Sequence, residues 1–496
     1  MSILDALILF AMLPALIATY AVKPVWVRFL GLLPLILVVL HWLFGAYRWQ
    51  FLPIYVVSIA FGVIFLLRVL RIAQRVQVAE FVALLSGLIV IGVVAQTVIT
   101  GAILLPVLPL PEPTGPSAVG TQARVITDAD RSNRQLLMQI WYPTDANDNP
   151  ARALYMGYPD VFAAGLLRDV GLPGFLYNHL DQFETASIPD APMATAQPRY
   201  PVVIFSHGLR GVRTQNTLLM QELASHGYIA VAIDHSGFGS GVVFPDGERF
   251  SLIDLEAAYG VDMSALTGDM LARYREVIDD DITQVMVEDA RFVIDAIEQI
   301  NGSDDTTFGG RLDLTRLGLV GHALGGSAHI RVCAVDARCH AVINLDGLLS
   351  GNITDLTQPA LFMHSAETQR QFAVTDEELA GMNPGQDLAQ TSADHTARWR
   401  QYSDRLVVLL TTATGPVYNL VIAETASFDY TDLPLFGPPM NWAGLSGAID
   451  PPRMIEIVNT YSRAFLDTYL KDEPAALLGQ PSPEYTEVDW IFVPSQ

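Results

Sequence analysis

Hydrophobic positions are distributed very unevenly along this chain. The first hundred residues hold four apolar runs, at 4–22, 29–45, 51–67 and 81–105, with charges almost confined to the gaps between them. A helix needs about 20 apolar residues to cross a bilayer core. The runs therefore predict a four-helix transmembrane region over 1–105, its second and third helices near the lower length limit. The first run lacks a preceding basic stretch, so it is expected to be retained rather than cleaved as a signal peptide. His41 and Gln96 fall inside apolar runs, where hydrogen bonding between helices is the expected role.

The pattern changes after residue 105. Pro106, Pro109, Pro111, Pro113 and Pro116 predict a stiff linker over 106–116. Beyond it, short apolar runs alternate with amphipathic stretches. Strands are predicted at 134–143, over 200–208 with a turn at its end, and at 228–234, 317–320, 341–345, 360–364 and 418–423. Helices are predicted at 214–226, 288–300, from 325 onward, and at 452–470. No clear period appears in 150–198. Alternating strands and helices predict an α/β domain over 117–475, a mostly parallel sheet with helices on both faces, followed by a tail over 476–496.

Charge sharpens this division. Residues 1–103 carry six Lys/Arg against two acids, which leaves 23 bases and 50 acids for the rest of a chain whose net charge is −23. So acidic a body argues against nucleic acid as a partner. Lys23 and Arg28 fall in the first short loop and Arg68, Arg71 and Arg75 in the third, whereas the second holds only Arg48. The positive-inside rule then puts loops one and three inside. Both termini and the acidic body are expected outside, on the extracytoplasmic face of a multi-pass cell-membrane protein. The two cysteines, Cys333 and Cys339, are spaced to permit a disulfide there, or are two small buried hydrophobes. No Cys/His pattern suggests a metal site.

The chemistry centres on V-G-H-A-L-G-G-S, 320–327. It follows a predicted strand and opens a predicted helix, the context of a nucleophile elbow G-x-S-x-G. Gly321, His322 and Gly325 fit that turn, but the apex that should carry the serine is Ala323. Upstream, S-H-G-L follows a buried strand, where such a fold places its second oxyanion-hole amide. The backbone N–H groups of Leu209 and Leu324 are the candidate pair. Asn301 and Asn352 fit glycosylation sequons, a pattern too short to count alone.

These segments resemble the platelet-activating-factor acetylhydrolase-like α/β-hydrolases. The resemblance rests on F-S-H-G-L-R-G, G-H-A-L-G-G and I-N-L-D-G, and on Q-I-W-Y-P-T-D, V-V-F-P-D-G and F-D-Y-T-D-L-P-L. It extends over most of 113–472 in order. It implies an α/β-hydrolase fold and cofactor-free cleavage of short or oxidised acyl chains from phospholipids, or of other small esters, by Ser, Asp and His. Carried over by position, the nucleophile is Ala323, the aspartate is Asp346 and the histidine position is Ser427. Only the aspartate remains. His207 and His322 are expected to be framework residues, and His395 to lie on a solvated helix face. Ser206 and Ser327 lie near the elbow without occupying its apex.

Losing a triad serine or histidine alone costs about 10⁶ in kcat, and further losses add little. A single substitution would suffice for a deliberate knockout, so the double loss favours a non-catalytic relative that binds a lipid or small ester, or serves as a scaffold or sensor. The alternative is an active ester hydrolase whose serine has been replaced and whose histidine lies elsewhere.

Overall fold

The computed structural model describes residues 107–491, apart from 147–150, 169–171, 263–267 and most of 372–387, together with a few positions before them. The chain divides into two units, Met1–Leu108 and Pro109–Gln496. The four apolar runs of the first unit lie largely outside the described residues. The exception is helix α1, Leu33–Phe44, which leaves Leu33, Ile36, Val39 and Leu40 exposed. Among the described residues, no helix is long and apolar enough to cross a membrane.

The second unit is built on a ten-stranded sheet. Its strands are β1 Ala118–Asp128, β2 Arg134–Thr144, β3 Ser187–Pro189, β4 Tyr200–Ser206 and β5 Ile229–Asp234. After the small β6 Val242–Val243 and β7 Arg249–Phe250 hairpin come β8 Leu312–His322, β9 Ala341–Leu345, β10 Ala360–Ser365, β11 Val417–Ile422 and β12 Val488–Trp490. The order is β12-β11-β10-β9-β8-β4-β5-β2-β1-β3. The six central strands, β11 to β5, are mutually parallel. β2 and β12 close this block antiparallel at either side.

Helices cover both faces, which explains why the central strands read as unbroken apolar runs. Along β4, Val202 and Ile204 face one core while Val203 and Phe205 face the other. The helices that matter for the site are α2 Thr217–Ser225, α3 Thr283–Asn301, α4 Leu324–Val335, α5 Leu388–Thr412 and α6 Pro451–Leu470. Apolar residues of α3, α4 and α5 join the first core, and those of α2 and α6 the second.

Several elements differ from the expectation. The aperiodic 150–198 contains a helix, Pro159–Arg168, a 3₁₀ stretch, Gly174–Gln182, and β3. β3 has three residues, too few for a period to register. The predicted tail supplies β12, whose register against β11 pairs Val488 with Ile422. Cys333, on α4, and Cys339 form a disulfide with a Cα–Cα distance of 5.1 Å. It closes a loop of only a few residues, for which chain entropy gives about 2 kcal/mol. Replacing both cysteines with alanine should lower the urea-unfolding free energy by about that amount and leave the fold intact.

Candidate functional site

Five residues singled out in the sequence meet in the structure. Leu209, Ala323, Leu324, Asp346 and Ser427 all line one cavity of about 370 Å³, within the range usual for small-molecule pockets. They come from the ends of β4, β8, β9 and β11 and from the start of α4. Ligands in open α/β sheets bind outside these carboxyl ends.

Ala323 sits between β8 and α4 with φ 50° and ψ −120°. A non-glycine residue in this region is strained by about 1–3 kcal/mol and persists only where its surroundings dictate it. Here two glycines allow backbone to press on backbone. A Cβ on Gly325 would lie 2.2 Å from the Ser206 carbonyl oxygen, and one on Gly208 would lie 2.8 Å from the Ala323 Cβ. Gly321, at the end of β8, lies as tightly against Gly325. The turn thus has the geometry of an elbow and presents a methyl group.

Leu324 opens α4, so its N–H has no partner within the helix. Among the described residues no acceptor meets the N–H of Leu324 or of Leu209. A Cβ on the adjoining Gly208 would lie 3.6 Å from the Leu324 nitrogen, so the loop that carries Leu209 packs against the start of α4, and both residues line the cavity. A ligand oxygen placed between them would accept two hydrogen bonds.

Asp346 is buried at the end of β9. Its carboxylate accepts from the Ser365 N–H at 2.8 Å and the Ser365 hydroxyl at 3.1 Å. The hydroxyls of Thr368 and Ser427 lie near enough to favour its charged form. Burial nevertheless pushes its pKa up to about 6 against these donors. Among the described residues no cation faces this carboxylate as a triad imidazolium would.

Ser427 instead links Asp346 to His322. The His322 Nε2 lies 2.9 Å from the Ser427 carbonyl oxygen and 3.4 Å from its Oγ. The other nitrogen, Nδ1, lies 3.1 Å from the Gln215 side-chain nitrogen. Gln215 donates, so Nδ1 accepts and Nε2 carries the proton toward Ser427. Burial pushes this ring down to about 4. Both nitrogens of His322 are therefore committed, and it has no free lone pair with which to act as a general base. Gln215, on the turn before α2, could not be read from the sequence, because its partner is 107 residues away.

Other candidates fall elsewhere. His395 is half-buried rather than on a fully solvated face, with Nε2 2.9 Å from Gln371 Oε1. Its ring lies tilted against Trp399, an apolar contact the polar segment H-T-A-R-W-R concealed. The Ser327 hydroxyl donates to Ser350 in the interior. Asn301 binds the Leu312 backbone through both ends of its amide, whereas Asn352 is exposed.

Ser206 has triad-like neighbours. Its Oγ is 2.9 Å from His235 Nε2, and His235 Nδ1 is 3.0 Å from Asp289. Yet Ser206, His235 and Asp289 are all 0% exposed, and Oγ is also held by His329 at 2.8 Å. No described cavity lined by Ser206 brings an ester to it. This constellation braces the sheet instead of attacking a substrate.

The rim of the cavity is charged. Arg405 of α5 donates to Asp279 at 2.6 Å and to the Leu349 carbonyl. Asp279 lies in a π-helical turn, Val277–Ile282, which the sequence pattern did not reveal. Among the described residues no cluster of His, Cys, Asp or Glu could hold a metal ion.

Comparison with known proteins gives this arrangement a setting. Residues 105–241 match the family platelet-activating factor acetylhydrolase, isoform II, a segment that carries β4 and its loop and stops before the elbow. The chain is 24% identical over 380 residues to a platelet-activating factor acetylhydrolase of Cavia porcellus, covering 73% of this chain and 78% of that protein. It is 22% identical over 397 residues to that of Gallus gallus, covering 73% and 83%. A ferulic acid esterase from Streptomyces cinnamoneus superposes with a TM-score of 0.59 at 23% identity, covering 78% of this chain and all of that one. The sheet topology and the elbow are those of an α/β-hydrolase fold, and the sequence is similar to platelet-activating factor acetylhydrolases.

Proposed function

We propose that the protein is a membrane-anchored, non-catalytic hydrolase relative that binds a phospholipid acyl ester or another small ester at its outward face. The observation that carries this reading is the pair of unpaired N–H groups on Leu209 and Leu324 at the floor of a 370 Å³ cavity whose apex residue is Ala323. Such amides bind an ester carbonyl without help from any side chain. The nucleophile and the base are the two parts missing.

The anchoring half rests on the four apolar runs, the loop charges and the exposed apolar side chains of α1. The Cys333–Cys339 disulfide supports an oxidising, extracytoplasmic setting for the body. The residues of an ester hydrolase with a relocated base would include an imidazole on Asp346. Among the described residues no histidine hydrogen-bonds that carboxylate.

The direct test is calorimetric titration of the full chain in detergent with ethyl octanoate. Saturable binding is expected, with the ester recovered intact. Leu348→Trp, which fills the cavity from its wall, should abolish it. Absence of saturable binding, or binding indifferent to Leu348→Trp, would sink the reading.

A further inference from the structure

We infer that His207 is a positioning residue that turns the Leu209 N–H into the cavity, and that a buried chain running from Asp289 through His235 holds His207 in that role. This deepens the ester-binding reading and rests on it for its functional consequence, although the geometry stands independently.

A trans peptide directs its C=O and its N–H in opposite directions. The Gly208 carbonyl oxygen is held 2.6 Å from His207 Nδ1 and accepts from the Gly211 N–H at 2.9 Å. A carbonyl only accepts, so Nδ1 carries the ring proton. With the carbonyl drawn back toward His207 and Gly211, the Leu209 N–H of the same peptide must face the other way. That direction is the elbow, where Gly208 packs against Ala323 and Leu324.

His207 can hold this carbonyl only while its own ring is fixed. Its Nε2 accepts from the His235 backbone N–H at 3.1 Å, which completes a neutral ring with both nitrogens assigned. The His235 side chain is clamped in turn between Asp289 and Ser206. Arg134 donates twice to Asp289, at 2.8 and 2.7 Å. All four of Ser206, His207, His235 and Asp289 are fully buried. The chain therefore ties β4, β5 and α3 together directly beneath the loop that carries Leu209. Burial pushes the His207 pKa down to about 4, so the ring keeps its neutral assignment near pH 7.

The position of the donor atom offers a discriminating test. Asn places an amide near the Nδ1 position of histidine and Gln places one near Nε2. His207→Asn keeps the donor to Gly208, whereas His207→Gln loses it and His207→Ala loses both contacts. Crystals of the three variants read the 208–209 peptide directly. The expected result is a native orientation in the Asn variant and a flipped or disordered peptide in the other two.

The functional readout uses the full chain carrying Ala323→Ser and Ser427→His with p-nitrophenyl butyrate. Adding His207→Gln should lower kcat by about 10²–10³, the usual cost of one oxyanion donor, with KM nearly unchanged. Adding His207→Asn should recover most of that loss. A peptide that keeps its orientation in the Gln variant, or Asn and Gln variants that behave alike, would overturn the assignment. If His207→Ala does not fold, the Asn/Gln pair still decides. If the chain carrying Ala323→Ser and Ser427→His shows no turnover at all, the ester-site reading fails, while the peptide orientations continue to judge the role of His207.

Discussion

Ala323→Ser combined with Ser427→His should convert a chain without detectable esterase activity into one that hydrolyses p-nitrophenyl butyrate at least about 10³-fold faster than the unaltered protein. Neither change alone should do much. With a serine at the apex and no imidazole, the hydroxyl keeps its proton. With an imidazole in place and alanine at the apex, the base has nothing to activate. Groups that act as a unit lose and regain activity together, so the gain is expected to be strongly non-additive. The geometry favours recovery because Ser427 lines the cavity beside Asp346 and already touches the ring beside the elbow. An imidazole there would donate Nδ1–H to Asp346 and present Nε2 toward the new hydroxyl, and its charge would draw the Asp346 pKa down from about 6. Initial-rate assays of the four proteins, each purified identically, would check this. Turnover by the unaltered chain would instead reveal a nucleophile elsewhere. A silent double variant with its new imidazole seen beside Asp346 would mean that the cavity does not position esters.

The second large effect is one of stability. Asp289→Ala should destabilise the second unit by about 3–5 kcal/mol, because it strands Arg134, Arg131 and His235 around a buried gap. Asp289→Asn keeps the shape and part of the hydrogen bonding, so its cost should be smaller. Urea unfolding followed by tryptophan fluorescence separates the two. An alanine variant as stable as the parent would mean that the network is incidental. The same network predicts acid lability. The Asp289 pKa is lowered although burial alone would raise it, because Arg134 and His235 donate to it. Its contribution is present above the unfolded carboxylate pKa and is lost as pH falls below about 4. His207, His322 and His364 are each pushed down to about 4, and His329 to about 3, by burial. They are neutral when folded and take up protons near pH 6.5 when unfolded, roughly the ordinary histidine value. These four rings should therefore make stability fall as pH drops through about 6.5, a fall that Asp346, whose raised pKa of about 6 gains stability in the same window, opposes only in part.

What the sequence made legible follows from range. β4 and β5 are buried on both faces, so they appear as unbroken apolar stretches. The elbow could be located because its glycines and strand–helix context are all within a few residues. Asp346 and Ser427 could be placed by motif resemblance, and they line one cavity with Ala323. The features that escaped are those made by distant partners or by very short elements. Gln215 meets His322 across 107 positions and Arg405 meets Asp279 across 126. β3 and β12 have three residues each. The Gly208 carbonyl explains most about the loop, yet a carbonyl has no signature in a sequence.

The Ala323 backbone stands at φ 50° whatever its side chain. Around it, Gly325 lies tight against the Ser206 and His207 carbonyls and Gly321 tight against Gly325, contacts that do not involve the side chain at 323. Chemistry and scaffold therefore decay on separate clocks. Two substitutions suffice to silence the reaction, whereas dismantling the turn requires several packed elements to give way together. A protein with this turn can therefore change its chemistry at 323 and keep the fold that surrounds it.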